Sequence, residues 1–353
     1  MKRILAINPG STSTKIAIYD DERPIYQSGG HHAASDTARF AHIGDQYEYR
    51  RDFILDNLQQ AGIPLHFDAV IGRGGLLKPL RSGVYAVNEQ MKHDLLHAHL
   101  QHACNLGGLI ADEIARRCGC QAYIADPVVV DELQPTARLT GLPSMERRSI
   151  FHALNAKAVS RRYAASIGRR YEDLNLIVAH LGGGISIGAH RQGQVADVNN
   201  ALNGEGPFSP ERAGTLPTLQ LAELCFSGTV TLADVRRLLS GEGGLMAHLG
   251  TKDMITIAAR AEAGEEPFRH VLDAMLYTIA KQIGAMYVTL LGRVDAIILT
   301  GGIAHSRYCT DAVSRQTDYL APVVVIPGEG EMESLAFNAL GVLRSELPVQ
   351  EYK

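Results

Sequence analysis

Three consecutive segments decide the fold: Ile4-Leu5-Ala6-Ile7, then Asn8-Pro9-Gly10-Ser11-Thr12-Ser13-Thr14-Lys15, then Ile16-Ala17-Ile18-Tyr19. Two apolar runs flank a polar, Gly-containing segment, which predicts a β-hairpin with an elaborated tip. The same plan returns roughly 170 residues later in Ile177-Val178-Ala179, His180-Leu181-Gly182-Gly183-Gly184 and Ile185-Ser186-Ile187. A repeated unit of this kind indicates an internal duplication, in which each copy begins a domain of its own.

Strand and helix patterns alternate along the rest of the chain, which is typical of α/β folds. We predict further strands at 69–71, 123–125, 195–198, 296–299 and 323–326, and helices at about 88–117, 150–166, 219–226, 232–239, 268–291 and 333–343. No low-complexity linker separates the halves, so two closely packed domains with a cleft between them are expected. We assign residues 1–147 and 333–353 to the first domain, with the last helix returning to it, and residues 148–332 to the second.

Composition excludes several classes of protein. The 353 residues include 34 Lys and Arg against 38 Asp and Glu, and a net charge of −4 argues against nucleic acid or an acidic membrane as partner. No segment approaches the roughly 18 apolar residues that span a bilayer, and the apolar run after Met1 ends at Asn8, too early for a secretion signal. Five cysteines without a CxxC pair suggest reduced thiols and a cytoplasmic protein.

Three polar or Gly-rich turns follow apolar strands, at Asn8–Lys15, His180–Ser186 and Thr300–Ser306. Backbone N–H groups at such turns form anion cradles, and glycine allows a phosphate to come close. Each turn alone is equally consistent with tight packing, but together they indicate a phosphate-binding protein. The first turn lacks the second glycine of a P-loop, and no strand is followed by GxGxxG.

The chain resembles the acetokinase family, within the superfamily of acetate and sugar kinases, heat-shock chaperones and actin. The resemblance is carried in order by Asn8–Lys15, Arg73-Gly74-Gly75-Leu76-Leu77, His102-Ala103-Cys104-Asn105-Leu106-Gly107, Asp126–Glu132, Ser149–Asn155, His180–Ser186 and Leu299–His305. It implies an α/β fold of two duplicated RNase-H-like (actin-like ATPase) domains around a cleft. It also implies reversible phosphoryl transfer between ATP and a short-chain carboxylate, with Mg²⁺ and a homodimer or larger homo-oligomer.

The resemblance assigns catalytic roles to Arg73, Asp126, His152 and Arg212. Positive groups are what phosphoryl transfer needs, because catalysis is mainly positioning and cancellation of charge on the moving phosphoryl group. For either arginine the ordinary alternative is a solvent-exposed arginine or surface salt bridge. A carboxylate substrate is already ionised at neutral pH, so we expect Asp126 to orient Arg73 or a magnesium-bound water rather than to act as a base.

The resemblance further assigns nucleotide binding and metal binding. The nucleotide residues it implies are Ser11, Thr12, Lys15, His180, Gly182, Gly183, Gly184, Asp253, Gly301, Gly302 and Ile303, with Gly183 standing where acetate kinases carry asparagine. His180 is equally well explained as a core histidine, and Asp253 as a helix cap. Asn8 and Glu331 are the expected magnesium residues, with Glu333 as the rival carboxylate and favourable charge at a helix N-terminus as the alternative.

The expected residues for the acid are Gly74, Gly75, His102, Asn105 and Phe151. Acetate kinases carry bulky valines after the first arginine, so the two glycines predict a wider pocket and a preference for butyrate or isobutyrate. On that basis Gly75→Val should favour acetate.

The alternatives left open are an acetate or propionate kinase of the same family, a sugar kinase, and a nucleotide-binding regulator. The histidines at 93, 97, 99 and 102 are interpreted as a solvated helix face rather than a metal site.

Overall fold

The two predicted hairpins form the centres of two separate sheets. The computed structural model describes residues 1–10, 13–40, 42–98 and 102–353. They fall into two compact units, Met1–Val130 with Gly330–Lys353 and Asp131–Glu329. The predicted division placed residues 131–147 in the first unit and 330–332 in the second, and the structure groups both segments the other way.

The strands, in chain order, are β1 (Arg3–Pro9), β2 (Ser13–Asp20), β3 (Arg23–His31), β4 (Ala69–Arg73), β5 (Val84–Ala86), β6 (Gln121–Ala125), β7 (Asn175–Leu181), β8 (Ile185–Arg191), β9 (Gln194–Val198), β10 (Ala296–Gly301), β11 (Val323–Pro327) and β12 (Val349–Gln350). The α-helices are α1 (Ala34–Ala38), α2 (Tyr47–Gln60), α3 (Glu89–Leu96), α4 (Asn105–Cys118), α5 (Pro135–Arg138), α6 (Ala153–Ser166), α7 (Thr218–Phe226), α8 (Leu232–Leu239), α9 (Leu245–Leu249), α10 (Met254–Glu262), α11 (Phe268–Thr289), α12 (Arg307–Thr317) and α13 (Glu331–Leu343). Short 3₁₀ helices span Ile43–Gln46, Tyr171–Asp173 and Gly302–His305.

The two sheets share one strand order. In the first unit the order is β12-β5-β6-β4-β1-β2-β3, and in the second it is β11-β10-β7-β8-β9. In each unit the first three strands are antiparallel neighbours, and the first strand then pairs in parallel with the next long strand. The shared run β6-β4-β1-β2-β3 and β11-β10-β7-β8-β9 confirms the duplication predicted from the hairpins.

Helices cover each sheet and bury its apolar strands. In the first unit α4 and α13 both pack against β1 and β4, whose apolar residues are fully buried. The backbones of β4 and α4 approach closely at the end of β4, with no room for side chains. A Cβ on Gly72 would lie 2.1 Å from the Gly107 carbonyl oxygen, and a Cβ on Gly107 would lie 2.3 Å from the Arg73 carbonyl oxygen. This close approach brings the start of α4 against the strand end that carries Arg73.

Two predictions about helices fail. The helix expected at 88–117 is divided into α3 and α4, which are joined by a connection that includes His102. Helix α2 was not predicted, and the reason is visible in its buried face, which consists of Arg50, Ile54 and Leu58. A charged residue at an inward position interrupts the apolar periodicity by which such a helix is recognised. No helix in the described residues is long and apolar enough to cross a membrane.

Candidate active site

The ends of β1 and β4 and the start of α13 bring three predicted residues together. The Arg73 Nη1 atom lies 2.9 Å from Oε1 of Glu331 and donates a 3.4 Å hydrogen bond to Oδ1 of Asn8. Asn8 Nδ2 in turn donates to the other carboxylate oxygen of Glu331. Glu333, the rival carboxylate, is exposed on the same helix. The cluster therefore combines a forked cation with two adjacent oxygen-bearing side chains.

These side chains also fit a magnesium ion. Mg²⁺ prefers oxygen ligands and is held mainly by nucleotide phosphates, so it needs few protein donors. The carboxylate of Glu331 and the amide oxygen of Asn8 supply that donor set, and Arg73 Nη1 already contacts an oxygen of each. Among the described residues no group of three or more His, Cys, Asp or Glu is arranged to hold a metal.

The first polar turn lies beside this cluster. Lys15 is exposed and is the β-sheet partner of Asn8. The Gly10 N–H donates a 2.7 Å hydrogen bond to the Ser13 carbonyl, which closes the turn. Ser11 and Thr12, both predicted to bind nucleotide, lie outside the described residues. Arg50 contacts the turn from beneath and was missed by sequence reasoning.

Asp126 anchors a neighbouring turn. Its side chain is buried, and Oδ1 accepts hydrogen bonds from Ser82 Oγ at 2.6 Å and from the Gly83 N–H at 2.9 Å. The residue has φ of +38°, a conformation that costs a non-glycine residue about 1–3 kcal/mol and is found preferentially at functional sites. Its proposed role in orienting Arg73 stays a prediction.

Gly74 and Gly75 do not widen a pocket, so the prediction made from them is wrong. A Cβ on Gly75 would lie 2.4 Å from Asn105 Oδ1 and 2.9 Å from Leu95 Cδ2, and one on Gly74 would lie 2.7 Å from Pro127 Cβ. The space left by the missing side chains is thus filled by neighbours. Gly75→Val is therefore expected to disturb this packing rather than to shorten an open pocket.

Asn105 holds the segment that follows Arg73. Its Oδ1 accepts a 2.9 Å hydrogen bond from the Leu76 N–H. His102 lies close by in sequence, with Nδ1 3.0 Å from the Sγ atom of buried Cys104. Burial raises the pKa of the Cys104 thiol to about 11, so this thiol is protonated at neutral pH. Of the other residues expected to contact the acid, Phe151 is buried in the second unit, directly before His152.

The second unit contains a stacked pair of histidines. The rings of His152 and His180 are parallel to within 8° with centroids 3.8 Å apart. His152 Nδ1 lies 3.0 Å from Ser186 Oγ, and His180 Nδ1 lies 2.8 Å from Asn155 Oδ1. Asn155 Nδ2 donates a 2.5 Å hydrogen bond to the Glu329 carbonyl.

The position of His180 supports its reading as a core histidine. The side chain is buried on β7, directly before the second Gly-rich turn, and is hydrogen bonded through Asn155 to the 328–329 backbone. Asn155 was quoted within a motif but was given no role. Its position four residues from Phe151 and three from His152 is a helical spacing, but only the fold shows what it contacts.

The second turn packs against the loop that carries Arg212. Ser209 Oγ donates a 2.5 Å hydrogen bond to the Gly183 carbonyl, and a Cβ on Gly184 would lie 2.1 Å from Arg212 Nη1. Burial lowers the pKa of the Arg212 guanidinium, and its buried Nε has no hydrogen-bond partner in the described residues. A buried donor without an acceptor is costly, whereas Nη1 of the same guanidinium donates to the Ala201 carbonyl. Gly182 and Gly183 lie in the same turn.

The third turn is held by backbone contacts. Gly301 has φ of +88° and exchanges hydrogen bonds with Gly328 at 3.0 and 3.1 Å. A Cβ on Gly302 would meet nothing within 4 Å, so its backbone is open to a ligand, while Ile303 is buried. Asp253 is exposed and caps α10, accepting from the Ile255 N–H at 3.2 Å and from Thr256 Oγ1 at 2.5 Å. These contacts support the helix-cap reading of Asp253.

Comparison with known proteins first defines the class. The solved acetate kinase of Porphyromonas gingivalis is 20% identical, covers 97% of this chain and 100% of its own, and superposes with a TM-score of 0.80. This likeness shows that the chain has the fold of an acetate kinase, and it confirms the predicted α/β fold class of two duplicated domains.

Sequence comparison then gives the family. The model of the acetokinase family matches residues 144–320. A protein of Phocaeicola vulgatus named as a probable butyrate kinase is 69% identical over 99% of both chains. A protein of Bacteroides thetaiotaomicron with the same name is 55% identical over 99% of this chain and 100% of its own. The chain therefore belongs to the acetokinase family and to its enzyme class, the ATP-dependent carboxylate kinases, as the resemblance predicted.

Proposed function

We propose that this protein transfers a phosphoryl group reversibly between ATP and butyrate or a similar short-chain acid. The observation that carries the proposal is the cluster of Arg73, Asn8 and Glu331, which offers a cation for anionic oxygens beside two oxygen donors for a metal. Butyrate is chosen as acceptor because both relatives described above are named as probable butyrate kinases.

The reaction needs no proton transfer from the acid. A carboxylate oxygen forms a bond to the γ-phosphorus, the bond from that phosphorus to the β–γ bridging oxygen breaks, and ADP leaves with the electron pair. The products are an acyl phosphate and ADP. Because the substrate is already ionised at neutral pH, the protein's task is to bring two anions together and to compensate charge on the moving group.

We assign that task to two arginines and a histidine. Arg73 and Arg212 carry forked guanidinium groups that suit phosphate and carboxylate oxygens, and His152 adds a hydrogen-bonding group. Asn8 and Glu331 would hold Mg²⁺, which when bound neutralises charge on the nucleotide phosphates. His180 and Asn155 position backbone, since Asn155 joins the His180 ring to the Gly328 and Glu329 carbonyls.

The proposal is tested by trapping acyl phosphate as its hydroxamate. Purified protein with Mg-ATP is given acetate, propionate, butyrate, isobutyrate or glycerol in parallel. Each buried methylene contributes about 0.8 kcal/mol, so butyrate should exceed acetate in kcat/KM by roughly tenfold. Acetate as the best substrate would retain the kinase class and overturn the choice of acid. No acyl phosphate from any acid, with folded protein, would overturn the proposal and favour a sugar kinase or a regulator.

We further propose that the protein is a cytoplasmic homo-oligomer. All five cysteines are free thiols, which suits a reducing compartment. Helix α7 buries none of its residues although it is rich in apolar side chains, and Leu219 and Phe226 are 72% and 91% exposed. A second copy of this chain would cover such a face. Light scattering after size exclusion should show a dimer or larger, and Phe226→Glu should shift the mass towards the monomer. A monomeric wild type would contradict this assembly.

A further inference from the structure

Arg50 is a charged residue in a fully buried position. It lies on the inward face of α2 with Ile54 and Leu58, and none of its surface is exposed. Placing a guanidinium in the interior costs several kcal/mol unless its N–H groups are hydrogen bonded. An apolar residue could occupy this position without the free-energy cost of burying a charge. The contacts of Arg50 therefore indicate the role of the charge.

Those contacts converge on the first polar turn. Arg50 Nη1 lies 2.9 Å from the Gly10 carbonyl oxygen and 3.0 Å from that of Ser13, the two described residues on either side of the tip. The same nitrogen lies 3.1 Å from Thr14 Oγ1, and Nε donates a 3.0 Å hydrogen bond to Gln46 Oε1. A single cation thus ties both sides of the turn to α2.

The buried guanidinium of Arg50 also affects the electrostatic potential at the first polar turn, where a phosphate would bind. Backbone carbonyl oxygens are the negative ends of peptide dipoles, and two of them in this turn face the buried guanidinium. Burial lowers the pKa of Arg50, but an arginine stays protonated in a folded protein. A full positive charge therefore lies beneath the turn in a low-dielectric interior, where its field is weakly screened.

A neighbouring histidine reinforces the same turn. Thr14 Oγ1 lies 2.7 Å from His32 Nε2, and His32 Nδ1 lies 3.1 Å from the Tyr49 hydroxyl. Burial and the charge of Arg50 lower the pKa of His32, so its ring is neutral at neutral pH. The positive charge under the turn is thus provided by Arg50 and not by this histidine.

We propose that Arg50 is a positioning residue for nucleotide binding, which holds Gly10 and Ser13, the described flanks of the first phosphate turn, in place and supplies positive charge beside them. The proposal rests on the proposed function only in taking this turn to contact the phosphates of ATP and ADP. It predicts that loss of Arg50 weakens nucleotide binding and leaves binding of the acid nearly unchanged.

The test compares Arg50→Met and Arg50→Lys with the control Arg51→Met. Arg51 lies on the same helix and pairs with Asp52 at 2.8 Å and Glu113 at 3.4 Å. Calorimetry should show Mg-ADP affinity about tenfold or more weaker in Arg50→Met, because several hydrogen bonds to a charged group are lost. Arg50→Lys should fall between, since its ammonium lacks the fork of donors. Arg51→Met should stay within about twofold, and KM for butyrate should change little in all three.

A merely structural role would give a different result. A folded Arg50→Met that binds Mg-ADP like the wild type, or in which KM for butyrate rises as much as KM for ATP, would overturn the proposal. If Arg50→Met does not fold, the proposal is tested with Arg50→Lys and Thr14→Val. Thr14→Val removes one hydrogen-bond acceptor of Arg50 and keeps its charge. Both should weaken Mg-ADP binding several-fold, and wild-type affinity in both would overturn the proposal.

Binding is measured without acid, so this result is separable from the proposed function. If the wild type binds Mg-ADP but phosphorylates no acid, the proposed function fails while the role of Arg50 is still tested. A wild type that binds no nucleotide would overturn both.

Discussion

The two hairpin tips have the same place in their sheets but are supported by different side chains. In the first unit the turn after β1 is held by the buried charge of Arg50, and the cluster beside it joins Arg73 to Glu331. In the second unit the turn after β7 is flanked by the hydrogen-bonded pair of His180 and Asn155, Ser209 holds its backbone, and Arg212 packs against Gly184. The duplication therefore fixes strand order but not the chemistry beneath the turn.

The difference shows what a repeated backbone can and cannot share. Strand pairing depends on apolar alternation and backbone hydrogen bonds, which many sequences satisfy. The support beneath a turn depends on side chains that arrive from distant segments, α2 in one unit and α6 in the other. We therefore expect the first unit to be sensitive to loss of charge and the second to loss of hydrogen bonds.

The largest effect is expected for Arg73→Met in the charged cluster. Removing a donor that compensates charge in the transition state should lower kcat by about 10²–10³-fold. Steady-state acyl phosphate formation measures it, and exposed Arg81→Met serves as the control. Turnover within tenfold of wild type would remove Arg73 from the catalytic machinery.

Asn155→Leu tests the hydrogen bonds that join His180 to the Glu329 carbonyl in the second unit. The change leaves the Glu329 carbonyl and His180 without their described partner, and unsatisfied buried groups cost about 1–3 kcal/mol. Chemical denaturation should show this loss in the free energy of unfolding, whereas exposed Asn203→Ala should change it little. Equal stability of the two variants would mean that the chain of contacts does not support the turn.

Asp126→Asn separates charge from hydrogen bonding in the first unit. Asparagine tolerates positive φ and keeps an oxygen for Ser82 and Gly83, so stability should change little. If the carboxylate orients Arg73 or a magnesium-bound water, kcat should fall by about tenfold. Asp126→Glu, which restores the charge, is the matched comparison. Retention of most of the turnover in Asp126→Asn would contradict both orienting roles.

The smallest effect is a pH dependence in the second unit. Burial, followed by the charge of Lys157, lowers the pKa of His190 well below its ordinary value, and its Nδ1 lies 2.7 Å from the Tyr171 hydroxyl. Below about pH 6.5 this histidine therefore binds a proton in the unfolded chain but stays neutral in the folded chain. Above about pH 6.5 the protonation of His190 does not affect the free energy of unfolding. As the pH falls below this value, the free energy of unfolding should decrease by up to about 1.4 kcal/mol per pH unit. Urea titrations between pH 7.5 and 5.5 should show a shallower fall in His190→Gln. An identical slope would assign the dependence to other groups.

Much of the fold could be predicted because apolar periodicity is local. The hairpins of β1–β2 and β7–β8 lie where the sequence predicts them, and so do β4, β10 and α13. Helix α2 was missed because Arg50 occupies one of its inward positions. The division between α3 and α4 was missed because residues 97–104 contain neither glycine nor proline to mark the end of a helix.

The site could be predicted less completely. Motif resemblance identified Asn8, Arg73 and Glu331, and the structure brings their side chains into contact. The resemblance led to the wrong prediction that Gly75 opens a pocket. The absence of a side chain at Gly75 does not show that Asn105 and Leu95 fill the space. It could not find Arg50, because a lone arginine in a polar segment resembles any surface arginine.

The sequence by itself determined the duplicated α/β plan, the three phosphate-type turns and the family, because these depend on patterns within short segments and on their order. Only the tertiary structure decided which distant side chains support each turn and that Gly74 and Gly75 are packed rather than open. Such contacts depend on three-dimensional distances of a few ångström between segments far apart in the chain, and no local pattern encodes them.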